Sequence, residues 1–407
     1  MEWLQELGSA LVSIFIQPLV YWIFFLLLIS SYFRIKRNRA TLGVKIYPKF
    51  YEIFYTGSIS VVAFLVLSLL SIGLGITFTY TFSLIIAFFT ILFTLFGRFS
   101  LLSAAYTWSL TFLILFFLPY VELPFLDDAV VEGLLSINLA AVVGLIGLLL
   151  IAESIIMFRM REDETLPEQV KSSRGKWVGQ HRLKKLAFIP FIGLIPTGNI
   201  EPFASWWPVL DIQGESFGLM VFPFIIGFEH LVKSQLPIIA AKILARRVLL
   251  LGLLTIVLGV VGYFLPIVTL IAVIIVILGR EFTSIQFKMQ DKVHKPIFQP
   301  DQSGVRVLAV LRNSAGRDLG IIPGEKIIKV NGLQIQSGEE FYYAVQQNGA
   351  YCKLEILDLN GEIRFAQRAL YEGENYKLGI LFVGDKSRKS KKVHRKNTNE
   401  EKSETSS

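Results

Sequence analysis

Four histidines are the first residues to test for chemistry, because imidazole is both a common metal ligand and a common general base. They lie at His181, His230, His294 and His394. A zinc protease of the His-Glu-x-x-His type needs two histidines four residues apart on one helical face, and no two of these have that spacing. The sequence therefore excludes zinc proteolysis by that route, and we expect no metal site.

A Gly-x-Ser-x-Gly pattern at residues 214–218 makes Ser216 a candidate nucleophile. Such a serine works where a strand enters the turn and a helix leaves it, with a histidine base close by. Here the nearest histidine, His230, stands at the opposite end of the following apolar run. A flexible turn before an apolar segment explains the same letters, and the chain has no Gly-x-x-x-x-Gly-Lys-Ser/Thr phosphate loop. We therefore expect no catalytic residues and no cofactor.

The composition of this 407-residue chain favours a membrane protein. Hydrophobic residues make up 53% of it, charged residues make up 18%, and the mean hydropathy is +0.56. Ordinary globular chains are about 45–50% apolar and about 25% charged. The single cysteine, Cys352, excludes an internal disulfide framework and fits a reducing compartment.

Apolar runs that are long enough, or nearly long enough, to cross a bilayer occupy most of the chain before residue 279. They are Leu11–Phe33, Ile59–Phe78, Phe82–Phe96, Leu101–Val121, Leu134–Phe158 and Val248–Leu265, the last followed by Ile267–Leu278. Two shorter runs, Leu186–Ile200 and Phe217–Val232, are broken by Pro and Gly. We expect these two to be full spans or a re-entrant pair sheltered by the others. The sequence predicts a polytopic α-helical membrane domain over residues 1–280, with about seven to nine transmembrane segments.

The distribution of Lys and Arg predicts how these spans are oriented, because basic loops stay on the cytoplasmic side. The loops at 34–39, 159–185 and 233–247 are basic, whereas those at 122–132 and 201–216 contain no Lys or Arg. Placing every basic loop inside puts the amino terminus outside the cell. The same threading places the carboxy-terminal region in the cytoplasm.

Ionisable residues within the apolar runs are few: Glu153, and Glu229 beside His230. Such residues often mark transport or a proton relay. For Glu153 the simpler interpretation is a carboxylate that lies at the interface or is paired with another helix. The two runs broken by Pro and Gly are nevertheless a feature of transporters. A transporter, or a membrane protease with an unusual site, therefore remains an alternative.

From residue 279 the chain becomes polar and has room for one small domain. We expect a linker over 281–295, a domain over 296–384 and a basic, disordered tail over 385–407. Within the domain, GVRV at 304–307, SAG at 314–316 and PGEKIIKVNG at 323–332 resemble the PDZ family in its permuted bacterial form. The resemblance implies a β-sandwich or partly open barrel with two helices.

PDZ domains bind a partner by adding its peptide as a strand to an open sheet edge. Their carboxylate-binding loop follows the pattern x-apolar-Gly-apolar, which here falls on Leu378, Gly379 and Ile380. The resemblance implies that backbone N–H groups of these residues hold the terminal carboxylate of a peptide. A large side chain at Gly379 would then block the peptide. The alternative is that Gly379 forms a bulge in an edge strand.

The tail from residue 385 onward carries a dense cluster of Lys and Arg. Such a cluster gains about 1 kcal/mol per charge against anionic lipid. A solvated tail explains the same composition. No aromatic residues interleave with these charges, so we expect no nucleic-acid partner.

The whole layout resembles the MinJ family of cell division topological determinants in Bacillus-type Gram-positive bacteria. The likeness rests on QPLVYW at 17–22, YFRIKR at 32–37, the further spans and one terminal PDZ-like domain. It implies a non-catalytic scaffold in the cell membrane, enriched at the septum and poles. The scaffold would link the pole- and septum-marking protein DivIVA to the MinCD division inhibitor through MinD, with no small-molecule substrate.

Overall fold

The computed structural model describes residues 2–42, 51–122, 124, 126–172, 175–202, 204, 207–208, 216–348, 350–370 and 378–384. The predicted tail, 385–407, lies outside these residues. The helices are α1 (Glu2–Ser13), α2 (Pro18–Leu42), α3 (Tyr51–Leu74), α4 (Tyr80–Leu95), α5 (Ala104–Phe117), α6 (Asp128–Leu135), α7 (Leu139–Phe158), α8 (Pro237–Phe264), α9 (Pro266–Val293), α10 (Ala315–Asp318) and α11 (Gly338–Gln347). The strands are β1 (Leu166–Lys171), β2 (Trp177–Phe188), β3 (Phe191–Ile200), β4 (Phe217–Phe222), β5 (Ile225–Val232), β6 (Val305–Val310), β7 (Lys326–Val330), β8 (Leu333–Gln334), β9 (Tyr351–Leu357), β10 (Ile363–Ala369) and β11 (Ile380–Phe382).

Five helices in the described part of the chain are long and apolar enough to cross a membrane. They are Pro18–Arg39 within α2, Thr56–Leu74 within α3, and the whole of α7, α8 and α9. Two shorter apolar helices, Tyr80–Leu95 and Ala104–Tyr120, lie between the second and third of these. The predicted number of transmembrane segments is seven to nine. Seven is reached only if both short helices also cross the membrane.

The two broken apolar runs are not helices, which corrects the expectation of helical spans there. Residues 186–200 and 217–232 form most of one long, bent antiparallel hairpin, in which β2 pairs with β5 and β3 pairs with β4. Pro190 and Pro223 lie at the joint between the two ladders, where neither can donate a backbone hydrogen bond. At about 3.3 Å per residue, the arm from His181 to Ile200 spans up to about 60 Å, roughly twice the thickness of a bilayer core.

Neighbouring segments form hydrogen bonds to backbone groups on both edges of this hairpin, as backbone at membrane depth requires. On the β3 edge, the N–H of Ile192 donates to Ser68 Oγ of α3 (2.9 Å), and Leu194 exchanges backbone bonds with the segment 76–78. On the β4 edge, the side chain of Gln17 donates to the carbonyl of Val221. The hairpin is thus a buried element of the helical core.

The helix α9 continues through the residues that the sequence assigned to a linker. It runs unbroken from Pro266 to Val293, and Phe287 within this stretch is buried in the helical core at 1% exposure. Near its end, the carboxylate of Asp291 accepts backbone hydrogen bonds from Lys233 (2.9 Å) and Ser234 (2.8 Å). The boundary predicted at residue 280 therefore falls inside a helix.

Glu153 lies in a fully buried ion pair between helices. Its Oε1 accepts a hydrogen bond from the guanidinium of Arg280 on α9 (2.7 Å), and its other oxygen accepts one from the Ser103 hydroxyl. Glu153 is 0% exposed and Arg280 is 2% exposed. The carboxylate thus joins α7 to α9, which agrees with the simpler interpretation of a helix-paired residue.

The carboxy-terminal domain is rich in β-structure and has its own apolar core. Its sheet has the order β10-β9-β7-β6-β11, with β8 paired to β7. The short helix α10 follows β6, and α11 begins after Ser337, whose hydroxyl accepts from the N–H of Glu340. A tight turn at Asn331 and Gly332, both with positive φ, connects β7 to β8. The domain thus contains two helices within a β-rich region.

Candidate functional site: the β11 edge of the carboxy-terminal sheet

The predicted loop Leu378–Ile380 leads directly into β11, the last strand of the sheet at one edge. Leu378 is 0% exposed and Ile380 is 2% exposed, so both side chains belong to the core of the domain. Gly379 has a φ of +71°, in the left-handed region that favours glycine. The irregularity in β11 lies later, between Leu381 and Phe382, rather than at Gly379.

The carbonyl groups of this loop point into the domain. The Leu378 carbonyl accepts from the N–H of Gly316 (2.8 Å), and the Gly379 carbonyl accepts from the N–H of Leu311 (2.7 Å). In a planar trans peptide the N–H points opposite to the C=O. The N–H groups of Gly379 and Ile380 therefore point away from those two partners, which is the orientation that an anion-binding loop needs.

Any side chain at position 379 would collide with the domain itself. A Cβ built on Gly379 would lie 2.3 Å from the Cβ of Ser314 and 3.3 Å from that of Leu311. The expectation that a large residue here would only block a peptide is therefore wrong. Such a change would first displace the turn between β6 and α10.

The helix α11 packs beside β11. The ring of Phe382 packs against Phe341 and Tyr342 of α11, with centroids 4.8 Å and 6.3 Å apart. The hydroxyl of Tyr342 donates to the carbonyl of Ile380 (3.0 Å). Since β6 occupies the other side of β11, this hydrogen bond lies on the edge where an added strand would pair.

A side chain of the helical domain reaches the same edge. The amide of Gln169, on β1, donates to the carbonyl of Phe382 (2.9 Å). The carbonyls of Ile380 and Phe382 alternate with Leu381, so both face away from β6. One is occupied by Tyr342 from within the domain and the other by Gln169 from the helical domain.

The contact at Gln169 is part of a larger docking surface between the two domains, formed by β1 and β2 on one side and β6 with residues 296–300 on the other. The N–H of Gly179 donates to the carbonyl of Phe298 (2.7 Å). Asp163 lies 3.6 Å from the guanidinium of Arg312 and 3.4 Å from that of Arg317. Buried apolar side chains complete the surface: Phe298, Leu308 and Val383. The carboxy-terminal domain is therefore held against the helical domain.

His181 belongs to this docking surface and lies within β2, outside the spanning helices. Its Nε2 lies 3.0 Å from the carbonyl of Leu308 and its Nδ1 lies 2.8 Å from the hydroxyl of Thr165. Burial lowers the pKa of His181 from 6.5 to about 4, although the Leu308 carbonyl and Glu168 both favour the charged form. The imidazole is therefore neutral at pH 7.

We expect docking to weaken in acid because of this histidine. The undocked imidazole takes up a proton near pH 6.5 and the docked one only near pH 4, so stability is complete above pH 6.5 and falls as the pH drops between these values. At 1.36 kcal/mol per pH unit, the loss at pH 5 is about 2 kcal/mol. Hydrogen exchange of β6 amides, corrected for intrinsic rates, measures it.

Replacing His181 with Gln should remove most of this pH dependence, whereas the same change at the exposed His294 should leave it intact. An unchanged acid response in the His181 variant would show that other groups cause it.

The other residues considered for chemistry do not come together. Ser216 precedes β4, and His230 lies near the end of β5, on the far side of the joint at Pro223. His230 pairs with Leu183 and Phe217 pairs with Ile200, so Ser216 and His230 lie towards opposite ends of the hairpin and cannot act as nucleophile and base. Gly214 and Glu215 lie outside the described residues. Among the residues that the structure describes, no group of three or more His, Cys, Asp or Glu could hold a metal ion.

Sequence reasoning missed Tyr342, Gln169 and His181, the residues that join β11 and β6 to their surroundings. Phe341, Ala344 and Val345 form the buried face of α11. Tyr342 falls beside that face, and a half-buried aromatic next to a core stripe is the signal that could have indicated a contact with the sheet edge. Gln169 and His181 carry no such local signal for their contacts with the carboxy-terminal domain, because Phe382 and Leu308 lie more than 120 residues away.

Comparison with known proteins gives the family. No protein-family model matches the chain. The chain is 37% identical to the cell division topological determinant MinJ of Bacillus subtilis strain 168, over 94% of its own length and 96% of the relative. The probable cell division topological determinants MinJ of Lacticaseibacillus paracasei and Lacticaseibacillus casei are each 23% identical over 61% of this chain and 66% of their own length.

The similarity to the Bacillus protein extends through both domains. The match covers 94% of the 407 residues, so about 6% of the chain lies outside it. It therefore includes the helical core, the hairpin and the carboxy-terminal sheet. The chain belongs to the MinJ family of cell division topological determinants.

Proposed function

We propose that this protein is a non-catalytic membrane scaffold for placing the division site, and that its carboxy-terminal domain recruits partners at the β11 edge. The observation that carries the proposal is an edge strand beside a helix, with two outward carbonyls, in a chain of this family. Strand addition supplies affinity through main-chain hydrogen bonds and specificity through side-chain pockets.

The domain on this proposal is PDZ-like, and a partner's carboxyl terminus would bind at Leu378, Gly379 and Ile380. Three features support it: the left-handed glycine, the N–H groups of Gly379 and Ile380 that point away from the core, and the position of α11 beside the β11 edge, where it would form the wall of a peptide groove. Anion-binding concavities of successive N–H groups are built in this way.

Binding of a partner at this edge would compete with two intramolecular hydrogen bonds. The Tyr342 hydroxyl would have to leave the Ile380 carbonyl, and Gln169 would have to leave that of Phe382. Each such bond contributes about 0.5–1.5 kcal/mol. A partner that adds a strand replaces both, so recruitment would loosen the docking of the domain.

The partners implied by the family are DivIVA, which marks poles and septa, and MinD, which carries the MinC inhibitor. On this proposal the amino terminus and the loop 122–132 lie outside the cell, and the carboxy-terminal domain is cytoplasmic, as the basic loops indicate. Reporter fusions in that loop and after Val383 should give signals from opposite sides, and signals from the same side would refute the orientation.

Replacing Tyr342 with Phe should tighten partner binding, because the change frees the Ile380 carbonyl and keeps the ring that forms the groove wall. Removing a competitor of 0.5–1.5 kcal/mol raises affinity about 2- to 10-fold. The measurement is the Kd of purified MinD, and separately of purified DivIVA, for the full-length protein in lipid nanodiscs.

The matched control is Tyr343→Phe on the next residue, whose side chain is 65% exposed and away from the groove. It should leave both Kd values unchanged. Equal affinities for wild type and the Tyr342 variant would place the partner site elsewhere on the protein.

A further inference from the structure

A cavity of about 790 Å³ lies between α2, the end of α4 and the strands β1, β2 and β5. One part of its wall is apolar and aromatic, formed by Trp22, Phe25, Ile29, Phe33, Leu95 and Phe99. The other part is polar and basic, formed by Arg34, Lys36, Arg37, Asn38, Arg182 and Lys184. The two parts follow one another along α2, so the cavity is amphipathic.

The dimensions of the cavity match a lipid at the membrane boundary. Along α2 its lining extends from Trp22 to Asn38, which at about 1.5 Å per residue is about 24 Å. The apolar part coincides with the apolar run of α2, and the basic part begins where that run ends, at Arg34. The basic end lies on the side of the carboxy-terminal domain, next to β1.

The charge of the lining favours an anion. Five cationic side chains, Arg34, Lys36, Arg37, Arg182 and Lys184, face two carboxylates, Glu168 and Glu229, so the formal charge is +3 (five minus two). Arg182 donates hydrogen bonds to both carboxylates, so their negative charges are already compensated by the protein. An anion at this end would therefore meet cations rather than uncompensated carboxylates.

Asn38 adds a donor to the same end. Its side chain is 3% exposed, and its Nδ2 has no hydrogen-bond partner among the residues that the structure describes. A buried amide without a partner costs about 1–3 kcal/mol, so such groups commonly have a bound partner in the working protein. A phosphate oxygen at the basic end of the cavity would supply one.

We propose that this cavity is a binding site for one anionic phospholipid, from the leaflet on the side of the carboxy-terminal domain. The headgroup phosphate lies against Lys36, Asn38 and Lys184, and one acyl chain lies along Trp22, Phe25 and Ile29. Basic pockets between spanning helices bind acidic headgroups in this way. A soluble phosphate would leave the aromatic half of the cavity without an occupant.

Native mass spectrometry of the purified full-length protein tests the site, with phosphatidylglycerol and phosphatidylethanolamine as probes. We expect one phosphatidylglycerol to be retained in preference to phosphatidylethanolamine. Lys36→Glu and Lys184→Gln should each lower its affinity, by roughly fivefold for each unit of charge removed. Inorganic phosphate should not displace the lipid.

Two matched controls distinguish binding in the cavity from nonspecific attraction of lipid to charged or apolar surface. Arg39→Glu changes an exposed residue of the same helix outside the cavity, and it should retain the lipid. Ile29→Trp fills the apolar half and should expel the acyl chain, whereas Leu28→Trp, on the exposed side of α2, should not.

Equal retention of the two lipids, an equal loss with Arg39→Glu, or displacement by inorganic phosphate would each overturn the proposal. Thermal melting of every variant without added lipid verifies folding. If the Lys184 variant unfolds, the Lys36 variant still tests the site, because Lys36 is at an exposed position.

Discussion

Replacing Glu153 with Gln is expected to destabilise the helical domain by about 3–5 kcal/mol. The change leaves the guanidinium of Arg280 buried at 2% exposure without its carboxylate, and uncompensated buried charges cost about this much. It also weakens the acceptor for the Ser103 hydroxyl. The measurement is thermal melting of the purified protein in detergent, together with its abundance in the membrane.

The double variant Glu153→Leu with Arg280→Met should recover most of this loss, because a well-packed apolar pair can replace a buried ion pair at little cost. The matched control is Glu132→Gln, the same replacement at an exposed position on α6, and it should leave the melting temperature and the abundance unchanged. If the double variant is stable but inactive in division, Glu153 has a role beyond joining α7 to α9, and the structural account of this residue is wrong.

Replacing Gly379 with Ala is expected to destabilise the carboxy-terminal domain by about 2–5 kcal/mol. Left-handed backbone strain contributes about 1–3 kcal/mol at a non-glycine residue. Overpacking adds a similar amount, because the new methyl group would lie 2.3 Å from the Cβ of Ser314. Hydrogen exchange of α10 and β11 amides in the full-length protein measures the loss.

The matched control is Gly361→Ala, in the turn between β9 and β10. Gly361 has a similar φ of +88°, but a Cβ there meets nothing within 4 Å. The Gly361 variant should therefore lose only the stability that backbone strain costs, without the contribution from overpacking. Equal losses at the two positions would mean that Gly379 is not tightly packed against Ser314, and the loop would then differ from the arrangement described above.

The carboxy-terminal domain could be predicted from its sequence because its signals are local. The turn at Asn331 and Gly332, the Ser337 cap and the alternation along residues 351–357 each define an element within a few residues. Strands exposed on one face alternate between apolar and polar residues, so their period is visible in the sequence.

The hairpin could not be predicted in the same way, because burial on both faces removes the alternation. All six residues of β4 are buried, and the strand reads as a continuous apolar run. Such a run cannot be distinguished from a short helix by periodicity. Its polar partners, Ser68 and Gln17, come from distant segments. Pro190 and Pro223 mark the joint of the hairpin only because the fold brings them together, which their positions in the sequence do not show.

The site was predicted in part for the same reason. The loop Leu378–Ile380 followed from a local pattern. The side chains that occupy its neighbouring edge, Gln169 and Tyr342, depend on how the two domains dock and on where α11 lies. Contacts between residues more than 200 positions apart, such as Gln169 with Phe382, leave no trace in local spacing.

Recruitment by the carboxy-terminal domain can be tested by deleting residues 296–383 and following a fluorescent MinD fusion in dividing cells. The apolar core cluster of the helical domain contains no residue between 296 and 383, so the truncated protein should remain in the membrane. We predict that MinD then loses its enrichment at septa and poles. If MinD still gathers there with the truncated protein as its sole scaffold, recruitment runs through the helical domain, and the role assigned to the β11 edge is wrong.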